Sequence, residues 1–453
     1  MSRQVNTVPQ GGSAALIGEA IPKSVVRAHL GLRYGRLSDP RNPRSAVRPA
    51  EDRQAVTELT DVPVFPQLPS RLERIMGPGV ADNPQSDEAF YLNIWHPDGA
   101  KDCPVLVFLH GGAWVSGGGS ARWYRGEALA KEGMIVVTLN YRIGPAGHCE
   151  DAGSQDKSTP HMHRPMEDIL TALRWVRDNI RGFGGDPARV TLAGQSAGAW
   201  YAWALAGWDR AEGLFSRVAL MSIPEIAPWS AEHRHGFTQE VDAAGPDRQT
   251  QLRAGAKTLG ETRFEPGRMA PMYLPVWPQT DASGRLHVGA LYIRSTWDEM
   301  SVFLPPLDPE AEAERLNLLR RDLTAQPAQG HRCPASWSAA WAETVSRATW
   351  AQFGGFSEAI AQAAEARSQT VIRRTFGAFC GCDNLGATHC FDLPFQFGNR
   401  ADWQDAPMLN GWSDSAFEGL SQAMRRDLAA FVQGAPQASR QEFTAAPDGE
   451  DKT

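Results

Sequence analysis

Fifteen residues constrain this chain more than any others: 184–198, reading Gly-Gly-Asp-Pro-Ala-Arg-Val-Thr-Leu-Ala-Gly-Gln-Ser-Ala-Gly. Residues 190–193 are a short apolar run bounded by turn formers, the pattern of a buried strand. Gly-Gln-Ser-Ala-Gly follows at once, and an Ala- and Trp-rich apolar stretch comes after it. Strand, G-x-S-x-G, helix is the context in which a serine is lifted onto a sharp turn above a sheet edge. In so tight a turn the flanking side chains would collide, which is why Gly194 and Gly198 carry none. The N-terminal N–H groups of the following helix then point at the place where an oxyanion on a group attacked by Ser196 would form.

A second motif lies upstream. Residues 104–114, Pro-Val-Leu-Val-Phe-Leu-His-Gly-Gly-Ala-Trp, are a β-forming run ending in His110-Gly111-Gly112, where bare backbone N–H groups can approach a substrate oxygen. An HGG oxyanion loop before a serine elbow specifies an α/β-hydrolase, with a mostly parallel central sheet flanked by helices. A serine hydroxyl is a poor nucleophile at neutral pH and needs a base, itself oriented by a carboxylate, in the chain order Ser, acid, His. His389 lies on a loop after a strand-like segment and fits the last place; His110 competes for it, but its position in HGG points to bracing of that loop.

Further landmarks follow one another along the chain: Tyr91-Leu-Asn-Ile-Trp95, Val137-Thr-Leu-Asn-Tyr-Arg-Ile-Gly144, Ala172-Leu-Arg-Trp-Val176 and Phe183-Gly-Gly-Asp-Pro187. Together with HGGAW and the elbow they resemble the type-B carboxylesterases, the group of the cholinesterases and the bacterial nitrobenzyl-type esterases. The resemblance is dense over 86–222 and continues in islands at 295–304 and 386–399. It implies a single α/β-hydrolase domain over 1–453, with an antiparallel start and covering loop in 1–85. A reduced cap would be built from insertions at 224–285 and 305–368. It implies catalytic Ser196, Glu299 and His389, and oxyanion donors at the backbone N–H groups of Gly112, Ala113 and Ala197. Three departures stand out: Met300 and Arg294 replace glycines around the acid, and Gln195 stands where relatives usually carry Glu. Asp298, one position before Glu299, is left open as the acid or as a helix cap.

The family implies no metal and no organic cofactor. Two groups resemble metal ligands: His148, Cys149, Glu150, Asp151, His161 and His163, and Cys380, Cys382, His389 and Cys390. The first matches no tetrahedral spacing, and the second would consume the base. A net charge of −7 without a long basic run argues against nucleic acid or an anionic membrane as partner. No stretch approaches a membrane span, and the first residues lack the apolar segment of a secretion signal. The positions of the family's common disulfide read Phe65-Pro66-Gln67 and Asp87-Glu88-Ala89, so a reducing, cytoplasmic setting is expected.

The expected partner is a small-molecule ester. Trp114, Trp123, Tyr124 and Trp200 stand near the oxyanion loop and the serine helix, as core or as an aromatic pocket for bulky or aryl groups; Arg122 and Arg125 hint at an anionic group. Amide or carbamate cleavage, a biosynthetic elimination, and a non-catalytic binding relative are the alternatives, the last opposed by all three triad candidates standing here.

Overall fold

Successive apolar runs pair into one large sheet. The computed structural model describes residues 25–52, 56–150, 163–226, 229, 231–261, 283–304, 307–322, 333–382 and 385–445. Its strands are β1 (Val26–Arg33), β2 (Gly35–Leu37), β3 (Val47–Pro49), β4 (Tyr91–Pro97), β5 (Cys103–Leu109), β6 (Ile135–Leu139), β7 (Gly185–Gln195), β8 (Arg217–Met221), β9 (Ala290–Thr296), β10 (Thr370–Phe376) and β11 (Arg440–Phe443). Nine of them lie in the order β1-β4-β6-β5-β7-β8-β9-β10-β11, and β2 pairs with β3 alone. β4 is antiparallel to both its neighbours. All pairings from β6 to β11 are parallel. Helices cover both faces of the parallel part, so β6 is buried at every residue and its sequence is apolar but for Thr138 rather than alternating.

The longer helices are α1 (Arg164–Asn179), α2 (Ala197–Ala206), α3 (Ala231–Ala243), α4 (Arg248–Glu261), α5 (Pro309–Asp322), α6 (Ala339–Thr349), α7 (Gly355–Ala366) and α8 (Asp414–Gln433). α1 buries Met166, Ile169, Leu170, Leu173 and Val176, the stripe its three-and-four spacing predicts. A two-pronged ion pair fixes it to the end of β6: Arg142 Nε donates to Asp168 Oδ2 at 2.8 Å and Nη2 to Oδ1 at 2.6 Å, with both side chains buried. At α8, Ser413 accepts from the Ala416 N–H at the start, and Gly434 takes a left-handed φ of 77° at the end.

Within 224–285, the first of the two segments read as cap insertions, α3 and α4 form. Helix periodicity is masked in α3 because its inner stripe is Arg234, Phe237, Thr238 and Val241, only half of it apolar. The polar half is used: Arg234 Nε donates to the His148 carbonyl at 2.9 Å, and Thr238 Oγ1 accepts from the Glu150 N–H at 2.8 Å. Between α6 and α7, inside the helix-rich segment, lies a π-helical turn, Trp350–Gly354. None of the six cysteines is in a disulfide. Among the described residues no helix is long and apolar enough to cross a membrane.

Candidate active site

The site grows from the C-terminal ends of the central strands. β7 runs into Ser196, which takes φ 56° and ψ −122°, and α2 begins at the next residue. A positive φ on a non-glycine residue is strained, and it persists only where packing over-determines it. Here the packing is visible. A Cβ on Gly194 would lie 2.3 Å from the Gly198 carbonyl, and one on Gly198 would lie 2.2 Å from the Leu109 carbonyl oxygen. The elbow is thus pressed between α2 and the end of β5. Ser196 remains partly exposed although its neighbours are buried, and its Oγ bonds to no side chain among the described residues.

β5 delivers the Gly-rich loop alongside. Gly112 has φ 121°, and a Cβ there would lie 1.9 Å from the Ser116 carbonyl oxygen, so only glycine fits. Ala113 and Trp114 also take left-handed φ values of 51° and 63°. This loop is anchored behind by His110. Its Nδ1 donates to the Gly111 carbonyl at 2.7 Å, its ring stacks on Tyr141 at 4.2 Å, and the Tyr141 hydroxyl donates back to the His110 carbonyl at 2.5 Å. Burial, against the Gly111 hydrogen bond, pushes the His110 pKa down to about 4, which keeps the ring a neutral brace. Ala197, first residue of α2, has no intrahelical acceptor for its N–H, and Gly112 and Ala113 are partly exposed, as Ser196 is.

The chain after β9 and the loop after β10 bring the remaining groups. His389 Nδ1 lies 2.5 Å from Glu299 Oε2, both side chains buried, and Glu299 Oε1 accepts from the Thr296 N–H at 2.8 Å. Asp298 points elsewhere: its Oδ2 accepts from the Ala387 N–H at 2.7 Å, holding the His389 loop. Burial opposes protonation of His389, but the neighbouring Cys390 and Glu299 outweigh it and hold the imidazole pKa well above the ordinary histidine value. A neutral imidazole bonded this way carries its proton on Nδ1 and presents the Nε2 lone pair, the form a base requires.

Several neighbours of His389 were not legible as such. Phe303 and Phe353 pack on its ring with centroids at 5.2 and 5.1 Å, Phe353 coming from the π-helical turn. That turn is docked on the loop after β8, where the Glu225 N–H donates to the Gln352 carbonyl at 2.6 Å. Gln195 Nε2 lies 3.2 Å from His389 Nε2 and 3.3 Å from Cys390 Sγ. The sequence of 350–354 carries no signal that separates a π turn from the helices on either side, and the Gln195 contact joins residues 194 apart.

The four aromatic pocket candidates pack against other rings. Trp114 and Trp200 meet edge to face at 6.3 Å, Trp123 stacks on Trp403 at 5.7 Å, and Tyr124 packs on Phe108 and Phe397. All four are buried. Gly112, Ala113 and Val115 of the Gly-rich loop, and Phe303 at the His389 ring, are partly exposed. Arg122 and Arg125 are committed to Asp405 and Asp402, each at 2.9 Å. Among the described residues no group of three or more His, Cys, Asp or Glu could hold a metal ion. Asp151 and His161, from the sequence's ligand-like group, lie outside the described residues.

Residues 26–245 match the model of the carboxylesterase family. Over 395 residues, 82% of this chain and 81% of the relative, the chain is 33% identical to a probable N-octanoylanthranilate hydrolase of Rhodococcus erythropolis. It is 42% identical to the para-nitrobenzyl esterase of Bacillus subtilis (strain 168) over 267 residues, 54% of this chain and 53% of that one. Among solved structures, a PNB esterase superposes with a TM-score of 0.73 at 24% identity, covering 95% of this chain and 93% of its own. The fold is that of an α/β-hydrolase, and the chain belongs to the carboxylesterase family.

Proposed function

We propose that this chain is a serine hydrolase of carboxylic esters bearing bulky or aromatic groups, working through an acyl-enzyme on Ser196 with His389 as base and Glu299 as the orienting acid. The observation that carries the reading is the 2.5 Å contact between His389 Nδ1 and Glu299 Oε2, in a loop packed against the residue preceding Ser196. Ser196 Oγ attacks the ester carbonyl as its proton passes to His389 Nε2. The oxyanion is received by the N–H groups of Gly112, Ala113 and Ala197, and His389 returns the proton to the leaving alcohol. Water then repeats the sequence on the acyl group. Donors held by a strained, brace-backed loop need no reorganisation when charge develops, which is the main advantage of such a site over water.

Phe303, half-buried beside His389, offers an apolar wall at the solvent-reachable edge. Burying a ring-sized group gains about 25 cal/mol per Å² of apolar area, enough for roughly a 10- to 1,000-fold change in kcat/KM. Two relatives are named for aromatic compounds, N-octanoylanthranilate and a para-nitrobenzyl group, which agrees with such a wall. The first name contains an N-octanoyl bond, so a second reading is cleavage of aryl amides at the same site. Values of kcat/KM for phenyl octanoate, ethyl acetate and octanoyl anilide separate them. The ester reading predicts the phenyl ester fastest by that margin. The amide reading predicts comparable rates for the anilide, and the fastest turnover with ethyl acetate contradicts both.

A further inference from the structure

We infer that Gln195 is a positioning residue for the base, holding His389 in its neutral, Nδ1-protonated form through a hydrogen bond to the nitrogen that must accept the serine proton. The inference rests on the proposed role of His389. Gln195 is buried at the end of β7, immediately before Ser196. Its amide nitrogen reaches His389 Nε2 at 3.2 Å and Cys390 Sγ at 3.3 Å. With Nδ1–H donated to Glu299, Nε2 has only a lone pair, so the amide N–H is the donor of that contact. The other amide hydrogen faces the Cys390 sulfur.

The side chain is confined. A Cβ on Gly111 would lie 2.5 Å from Gln195 Oε1 and 3.0 Å from the Gln195 carbonyl oxygen, so a side chain there would displace the amide from its present place. Cys390 takes φ 70°, a left-handed conformation that sets its sulfur beside the amide. Oxyanion loop, elbow and histidine loop therefore converge on one amide.

The chemistry follows from the donor count. While His389 is neutral, the Gln195 N–H stabilises it and fixes the tautomer. When the serine proton arrives at Nε2, two N–H groups would face each other, and the amide must give way. The Cys390 Sγ contact leaves it an acceptor during that interval. Gln195 thus opposes the imidazolium that Glu299 and Cys390 favour. The other groups around the ring are fixed: Asp392 on the same loop is paired with Arg294 at 2.7 Å, and Asp298 holds the Ala387 N–H. Tyr124 faces Cys390 and Asp392, and burial, then these neighbours, raise its pKa. Phe303 and Phe353 are uncharged.

The test is the pH profile of kcat/KM for the full-length enzyme and three variants, Gln195→Met, Gln195→Glu and His389→Gln. The acid limb of the unmodified enzyme belongs above the ordinary histidine value of about 6.5, because the pKa of His389 is raised and the base must be unprotonated. Gln195→Met keeps the shape and removes the donor, so neutral His389 loses a partner and the limb moves up by about half a unit to one unit. Gln195→Glu places a carboxylate beside Nε2 and moves it further up. An unchanged limb in both variants, or a downward shift in Gln195→Met, overturns the inference. If only one variant folds, its shift decides. Full activity in His389→Gln instead overturns the assignment of the base, whatever the Gln195 variants do.

Discussion

Replacing Ser196 by alanine is expected to lower kcat by roughly 10⁴- to 10⁶-fold while leaving the melting temperature nearly unchanged. The size follows from its proposed role: with no nucleophile there is no acyl-enzyme, and what remains is the contribution of the oxyanion donors and of binding. The neutrality toward stability follows from its surroundings. The Oγ bonds to no side chain among the described residues, and the strained φ of 56° is imposed by the backbone packing around Gly194 and Gly198. Alanine meets the same backbone and loses only the hydroxyl. A fall in kcat together with a large fall in melting temperature would mean that the serine hydroxyl supports the turn rather than the reaction.

The second large effect separates the two adjacent carboxylates. Glu299→Gln is expected to reduce kcat by about 10⁴-fold, and Asp298→Asn by less than about tenfold. Glu299 uses both oxygens as acceptors, one for the Thr296 N–H and one for His389 Nδ1. In the glutamine the carbonyl stays with Thr296, because a backbone N–H can bond only to an acceptor. Its NH₂ then faces Nδ1, which forces the imidazole proton onto Nε2 and removes the lone pair that receives the serine proton. Asp298 is different. Its Oδ2 accepts from Ala387 N–H at 2.7 Å, a bond that the amide oxygen of asparagine can keep. Comparing kcat of the two variants at one pH checks this, and a larger loss for Asp298→Asn would exchange the two roles.

Much of the frame was legible because local and global signals agree in it. Residues 135–139, apolar but for Thr138, form β6, since a parallel strand covered on both faces favours a nearly continuous apolar run. The elbow was legible because its glycines are required by backbone approach, a constraint that needs no partner's identity. What escaped depends on partners distant in the chain. The inner face of α3 is half polar because Arg234 and Thr238 bond the chain at 148–150, and such a helix has no amphipathic signature. For the aromatics around HGGAW, composition alone does not separate a pocket wall from the core beneath it. Trp123 meets Trp403, and Tyr124 meets Phe397, contacts set only by the fold. Gln195 was legible as a departure from Glu. Its hydrogen bond to His389 was not, because the histidine loop follows β10, three strands away from β7 in the sheet.

The central claim is an acyl-enzyme on Ser196, and one measurement addresses it most directly. The enzyme is inactivated with an aryl phosphonate ester, digested, and mapped by mass spectrometry. The account predicts a single phosphonyl group on the peptide containing Gly194-Gln195-Ser196-Ala197-Gly198, at Ser196, in proportion to lost activity. Activity lost with the label on a different residue, and Ser196 unmodified, would contradict it.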